Sequence, residues 1–94
     1  MQISWTRRAD KSLEYIEEYI AQDNKIAALE TISKIIQAVE HLRAHSHLGK
    51  TGRILGTREL IIPSTPYIVP YRVKNEYIEI LSVLHSAMEW PDNL

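Results

Sequence analysis

The spacing of apolar residues changes character part-way along the chain, and that change limits the folds open to it. From residue 9 to residue 42 apolar side chains recur at three and four: Ala9, Leu13, Ile16 and Ile20, then Ala28, Ile32, Ile35, Ile36, Val39 and Leu42. Such spacing puts each set on one side of a helix. From residue 58 onward β-branched and aromatic residues gather in short runs, "RELII" (58–62), "YIVPYRV" (67–73) and "YIEILSVLH" (77–85), which is the pattern of strands. The stretch between them, "HSHLGKTGRILGT" (45–57), holds all three glycines and reads as a loop.

Local signals set the boundaries. "QISW" (2–5) carries Ile3 and Trp5 and reads as a first strand, after which the Thr6 hydroxyl can cap a helix. "QDN" (22–24) interrupts the helical spacing, and Asp23 or Asn24 can cap a second helix. Two amphipathic helices joined so closely form an antiparallel hairpin. "PSTP" (63–66) and "KNE" (74–76) are short enough to join consecutive strands as hairpins. Pro70 lies inside the middle run, where a residue without an N–H belongs at a bulge or a solvent-side position. The expected fold is α+β in the order β-α-α-β-β-β, with an N-terminal strand and a helical hairpin packed on one face of a twisted antiparallel sheet. Residues 1–94 are expected to form a single domain.

Composition removes several function classes. Without cysteine there is no disulfide framework, thiol nucleophile or thiolate zinc site. A formal charge of −1 and a pI near 6.4 do not suit a protein that grips nucleic acid mainly through phosphates. The opening residues lack a secretory pattern and no apolar run approaches a membrane span, so a cytoplasmic protein without membrane contact is expected. His41, His45 and His47 cluster at the end of the second helical run, with no carboxylate beside them in sequence. They read as a solvated helix end, where imidazolium suits the dipole, and no metal or other cofactor is expected.

Three segments together, "ISWTRRADKSLEYIEEYIA", "GRILGTRELIIPSTPYIVPYRV" and "IEILSVLHSAMEWP", cover almost the whole chain. In this order they resemble the RelE/ParE superfamily of bacterial type II toxin–antitoxin toxins. The resemblance implies a toxin encoded beside an antitoxin that neutralises it by tight binding. It leaves two targets open: the ParE branch is known for poisoning DNA gyrase, and the RelE branch for cutting mRNA on the ribosome. RelE-like nucleases place lysines and arginines on the sheet and an arginine and a tyrosine near the C-terminal end. Here the corresponding positions read Leu60, Ile61 and Ile62, then Ile68, and the tail "HSAMEWP" has neither arginine nor tyrosine. These departures favour the ParE-like branch and a toxin that binds rather than cleaves.

His85 is the residue that argues the other way, since imidazole titrates near neutral pH and some nuclease-branch relatives use a histidine here. As a catalyst it would need cations beside it, for which Arg53, Arg58 and Arg72 are the candidates. As a structural residue it would bond to backbone and pack against Trp90. Arg53, Arg58, Tyr67, Arg72, His85 and Trp90 are therefore the expected target-binding set. Tyr15 and Tyr19, with Arg43 and Lys50 from the basic 43–58 region, are the expected antitoxin contacts, and DNA would be met only through the antitoxin.

Overall fold

The computed structural model describes residues 1–94. Strand β1 (Gln2–Trp5) leads into helix α1 (Arg7–Ala21), helix α2 (Lys25–Glu40) follows, and a 3-10 turn at His41–Arg43 ends the helical half. Five strands complete the chain: β2 (Lys50–Thr51), β3 (Arg58–Ile61), β4 (Tyr67–Val73), β5 (Tyr77–Ile80) and β6 (Leu84–His85). Each helix starts on a side-chain cap. Thr6 Oγ1 accepts the Ala9 N–H at 3.1 Å, and Asn24 Oδ1, rather than Asp23, accepts the Ala27 N–H at 2.9 Å.

The helical hairpin lies on one face of the sheet, as the two stripes require. Ala9, Ile16, Ile35, Val39 and Leu42 pack into one cluster with Leu60, Val69, Tyr71, Ile78 and Ile80. Leu13, Ile20 and Ile32 lie at its margin, and Ile36 departs from the predicted stripe by facing solvent. The strand order is β1-β5-β4-β3-β2, with β6 alongside β4. β3, β4 and β5 form the expected antiparallel meander, but β1 pairs with β5 in parallel, so the sheet is mixed. The reason is connectivity. β1 reaches its neighbour through the helices and the rest of the sheet, and no hairpin turn constrains its direction.

The run 77–85, expected as one strand, is broken, and Pro70 lies opposite the break. Tyr71 faces Ile80 and Ile68 faces Leu84. Val69 and Pro70 on β4 therefore oppose Leu81, Ser82 and Val83, two residues against three, which is a bulge. Pro70 O accepts the Leu81 N–H at 3.0 Å, while the proline has no N–H to offer a partner strand. Pro70 is fully buried, so the bulge expectation holds and the solvent-side alternative does not.

The backbone groups displaced from the ladder at the bulge are taken up by α1. The Thr6 hydroxyl donates to Leu81 O at 3.1 Å, and the Val83 N–H donates to Ser12 Oγ at 2.9 Å. One hydroxyl thus both caps α1 and anchors it to the sheet. Ser12→Ala would leave the Val83 N–H buried without an acceptor. It is expected to lower unfolding free energy by about 1–2 kcal/mol in urea titration, and a loss below about 0.5 kcal/mol would contradict the assignment.

Candidate functional site

Side chains alternate across a sheet, so the register sorts the candidate residues by face. Tyr67, Val69 and Tyr71 point toward the helices, and His85, directly opposite Tyr67, shares that side. The His85 ring meets the Tyr67 ring edge-on, with centroids 5.5 Å apart at 87°. Its Nδ1 accepts the Ala87 N–H at 3.0 Å, which places the proton of the neutral ring on Nε2. His85 is thus bonded to backbone as a structural residue would be, with Tyr67 rather than Trp90 as its aromatic neighbour.

The three arginines are not gathered around it. Arg58 lies on the helix side but pairs with Tyr71, four residues along β4 from Tyr67 or ~13 Å at strand spacing. Its Nη1 donates to Gly49 O at 2.7 Å. Arg72 and Arg53 belong to the opposite face. Arg72 pairs across the strands with Glu79 at 3.9 Å, a loose contact of little energetic weight.

Arg53 is more firmly engaged. Glu59, only 2% exposed, accepts the Arg53 backbone N–H at 2.7 Å and its Nε at 3.2 Å. The other side of the guanidinium is covered by Trp90, whose ring centroid lies 3.5 Å from Cζ. The Trp90 Nε1–H meets no protein acceptor, so Trp90 engages Arg53 through its ring face, and further along the tail Asn93 O accepts a hydrogen bond from Arg8 Nη1 at 3.2 Å. Glu59, Arg53 and Trp90 form three layers that bind the 52–57 loop and the C-terminal tail to the sheet. The sequence marked Arg53 and Trp90 but not the carboxylate that Arg53 pairs with beneath the ring. A glutamate within the otherwise apolar end of "RELII" was the available signal.

The expected antitoxin contacts are spread over the helical layer. Tyr15 and Tyr19 are 66% and 62% exposed, with rings stacked at 6.3 Å. An exposed aromatic pair on a helix is an effective anchor for a partner. Arg43 is exposed and bonded to Glu40 at 2.9 Å, which holds the Glu40 carboxyl below its ordinary pKa. Lys50 is exposed on β2 and pairs with no carboxylate. The three loop histidines do not form a metal-binding group with other side chains.

Tyr71 lies on β4 beneath this region. It is fully buried, and its hydroxyl donates to Ser46 O and accepts the Gly49 N–H, each at 2.9 Å. A Cβ on Gly49 would lie 2.7 Å from the Tyr71 ring, so the loop can close onto the hydroxyl only with glycine there.

Comparison with known proteins agrees with this arrangement of elements. Residues 3–90 match the profile of the ParE toxin of the type II toxin–antitoxin system, parDE. The chain belongs to the ParE toxin family. The candidate toxin Y4kP of Sinorhizobium fredii is 41% identical over 92 residues, covering 98% of this chain and 95% of that protein. Toxin RelE2 of Caulobacter vibrioides is 27% identical over 86 residues, covering 92% and 96%. A solved structure of a chromosomal ParDE toxin–antitoxin system from P. aeruginosa superimposes with a TM-score of 0.81 at 30% identity, covering 90% of this chain and 95% of that one. The ParE family is the toxin half of a two-protein system, and an antitoxin partner comes with membership. No helix of this ParE-family chain is long and apolar enough to cross a membrane.

Burial pushes the Tyr71 hydroxyl above its ordinary pKa of about 10, against the opposing pull of the Gly49 N–H and Arg58. Tyr67 is raised too, by burial and by the Tyr19 hydroxyl nearby. The fold therefore holds these protons more tightly than the unfolded chain does. The stability this provides is complete below pH ~10 and is lost as pH rises through the folded-state values. Tyr71→Phe is expected to cost about 2 kcal/mol at neutral pH by orphaning the Gly49 and Ser46 groups. It should also shallow the alkaline loss of thermal stability; an unchanged alkaline profile would contradict the role of Tyr71.

Proposed function

We propose that this ParE-family chain inhibits bacterial growth by binding DNA gyrase in the cytoplasm, without cleaving a substrate, and that the antitoxin encoded beside it blocks that binding. The supporting observation is the dispersal of the candidate cations. Cleaving an RNA backbone requires a positioned base or acid and, above all, positive groups converging on the phosphate as charge develops. His85 lies on the helix side of the sheet, Arg53 and Arg72 lie on the other, and Arg58 is a strand's width of residues away. Arg53 is spent on Glu59 and Trp90, and Arg58 on the Gly49 carbonyl. His85 lines neither the cleft between α2 and β3 nor the one beside β1 and β5.

A binding toxin needs a different surface, with aromatic and arginine anchors set on rigid elements. The outer sheet face with Arg72 and the Arg53–Trp90 stack, bordered by the tail after β6, fits that need. Tyr67 and His85 shape the adjoining rim. Tyr15, Tyr19, Arg43 and Lys50 are available for the antitoxin, and DNA contacts belong to the antitoxin in this scheme. The family resemblance supplies gyrase as the target.

Purified chain added to gyrase and relaxed plasmid is expected to reduce supercoiling or trap cleaved DNA, and His85→Ala is expected to behave as the parent chain. Supercoiling that proceeds unaltered would count against gyrase. Codon-phased mRNA cuts in a translation extract, abolished by His85→Ala in a folded chain, would establish the ribosomal alternative in its place.

A further inference from the structure

The charges of α1 destabilise it as a lone helix. Arg7, Lys11, Glu14 and Glu18 recur at four, three and four residues, which sets them in one stripe on the side away from the buried Ala9 and Ile16. All four are exposed. Arg7 and Lys11 are like charges one turn apart, and so are Glu14 and Glu18, a spacing at which like charges repel. Their order also puts positive charge toward the helix N-terminus and negative charge toward the C-terminus, the reverse of what the dipole favours. None of the four has an ion-pair partner within the chain.

The same order is complementary to itself. Read from the N-terminus the stripe is plus, plus, minus, minus. A two-fold axis passing between Ser12 and Leu13 turns it end for end. Arg7 then lies opposite the partner's Glu18 and Lys11 opposite the partner's Glu14, and each pair occurs twice. Antiparallel helices also set each dipole against the opposite end of the other, and a single patch that serves both subunits is the usual form of a homodimer. The flank of the stripe adds aromatic area. Tyr15 and Tyr19 are exposed there with stacked rings, and Arg8 lies on the same flank nearer the N-terminus. In the antiparallel arrangement Arg8 falls level with the gap between the partner's Tyr15 and the partner's Tyr19, within reach of their ring faces. Its Nη1 donates to Asn93 O at 3.2 Å, and a guanidinium has further N–H groups to spare.

We propose that the outward face of α1 is a two-fold interface through which the free chain associates with a second copy of itself. The charge order selects this occupant. A uniformly acidic or basic segment would satisfy one half of the stripe and be repelled by the other, whereas an antiparallel copy satisfies both. The helix has 15 residues, a length of about 22 Å. A single face of that size belongs to the weak class of interfaces, with a Kd on the order of 10–100 µM. Tyr15 and Tyr19 are shared with the antitoxin in the reading above, so the second copy and the antitoxin exclude one another there. The self-association does not itself depend on that reading.

Sedimentation equilibrium of the full chain without its antitoxin tests the interface. At low salt the weight-average mass is expected to climb from 10.9 kDa toward twice that value as concentration rises, and about 0.5 M salt is expected to return it to the monomer. Lys11→Glu and Glu14→Lys each set like charges opposite one another across the axis. Each is expected to weaken association at least about tenfold with the melting temperature unchanged. An equimolar mixture of the two variants restores opposite charges at both positions and is expected to associate as the parent does. The salt series on the parent stands should either variant misfold. A parent chain still monomeric at about 1 mM in low salt would overturn the interface. So would association that high salt leaves unaltered, single variants that associate like the parent, or a mixture no more associated than its components.

Discussion

Strand β4 has no face to give to water over Tyr67–Tyr71, since all five residues are buried, and the rest of the molecule is arranged to cover it twice. The helical hairpin covers the side of Tyr67, Val69 and Tyr71. The loop carrying Arg53 and the chain after β5 must cover Ile68 and Pro70 on the other. A short domain buries little surface in total, so a two-sided strand is expensive to provide for. The tail and a loop serve where a second helical layer would otherwise be needed. That division has a functional consequence: it sends His85 to one side of the sheet and the Arg53–Trp90 stack to the other.

The side-chain polar groups buried in this arrangement are few, and all but the Trp90 Nε1–H are occupied. Thr6 and Ser12 replace the ladder partners missing at the bulge, and Tyr71 closes the long loop over Gly49. Glu59 is covered by Arg53 and Trp90. The glutamate is buried while the arginine is half-exposed, so the pair adds little net stability, yet removing Arg53 would leave a buried carboxylate uncompensated. Its effect is to fix where the tail lies. By contrast, α1 carries Arg7, Arg8 and Lys11 near its N-terminus and Glu14, Glu17 and Glu18 further along, against the preference of the helix dipole. None of these charges is paired within the chain. The helix is held by its cap and its apolar stripe rather than by ion pairs; Arg8 Nη1 donates to Asn93 O in the tail at 3.2 Å, and the other charges are left for solvent or a partner.

The change in apolar spacing was enough to read both helices, the order of elements and the hairpin on one face. Thr6 and Asn24 were legible as caps because their chemistry is local. Long-range matters were not. The parallel pairing of β1 with β5 joins residues some seventy-five apart (Gln2 with Tyr77), and no neighbouring residue encodes it. Pro70 signalled a bulge, but the extra residue lies on the facing chain, at Leu81–Val83, within a run that reads as continuous strand. For the site, Arg53, Arg58, Arg72 and His85 could be named from residue type. Their separation could not, because it depends on strand register and on which face each odd or even position takes. The partners of Glu59 and Tyr71 were illegible for the same reason: they lie in loops whose path is set only by the folded sheet.

The central claim is that the chain harms its host by holding an enzyme rather than by cutting RNA. Pulse-labelling after induction of the chain alone, without its antitoxin, tests that most directly. Incorporation of thymidine should fall first, with methionine incorporation continuing through the early minutes. Methionine incorporation that collapses while thymidine incorporation continues would contradict the account.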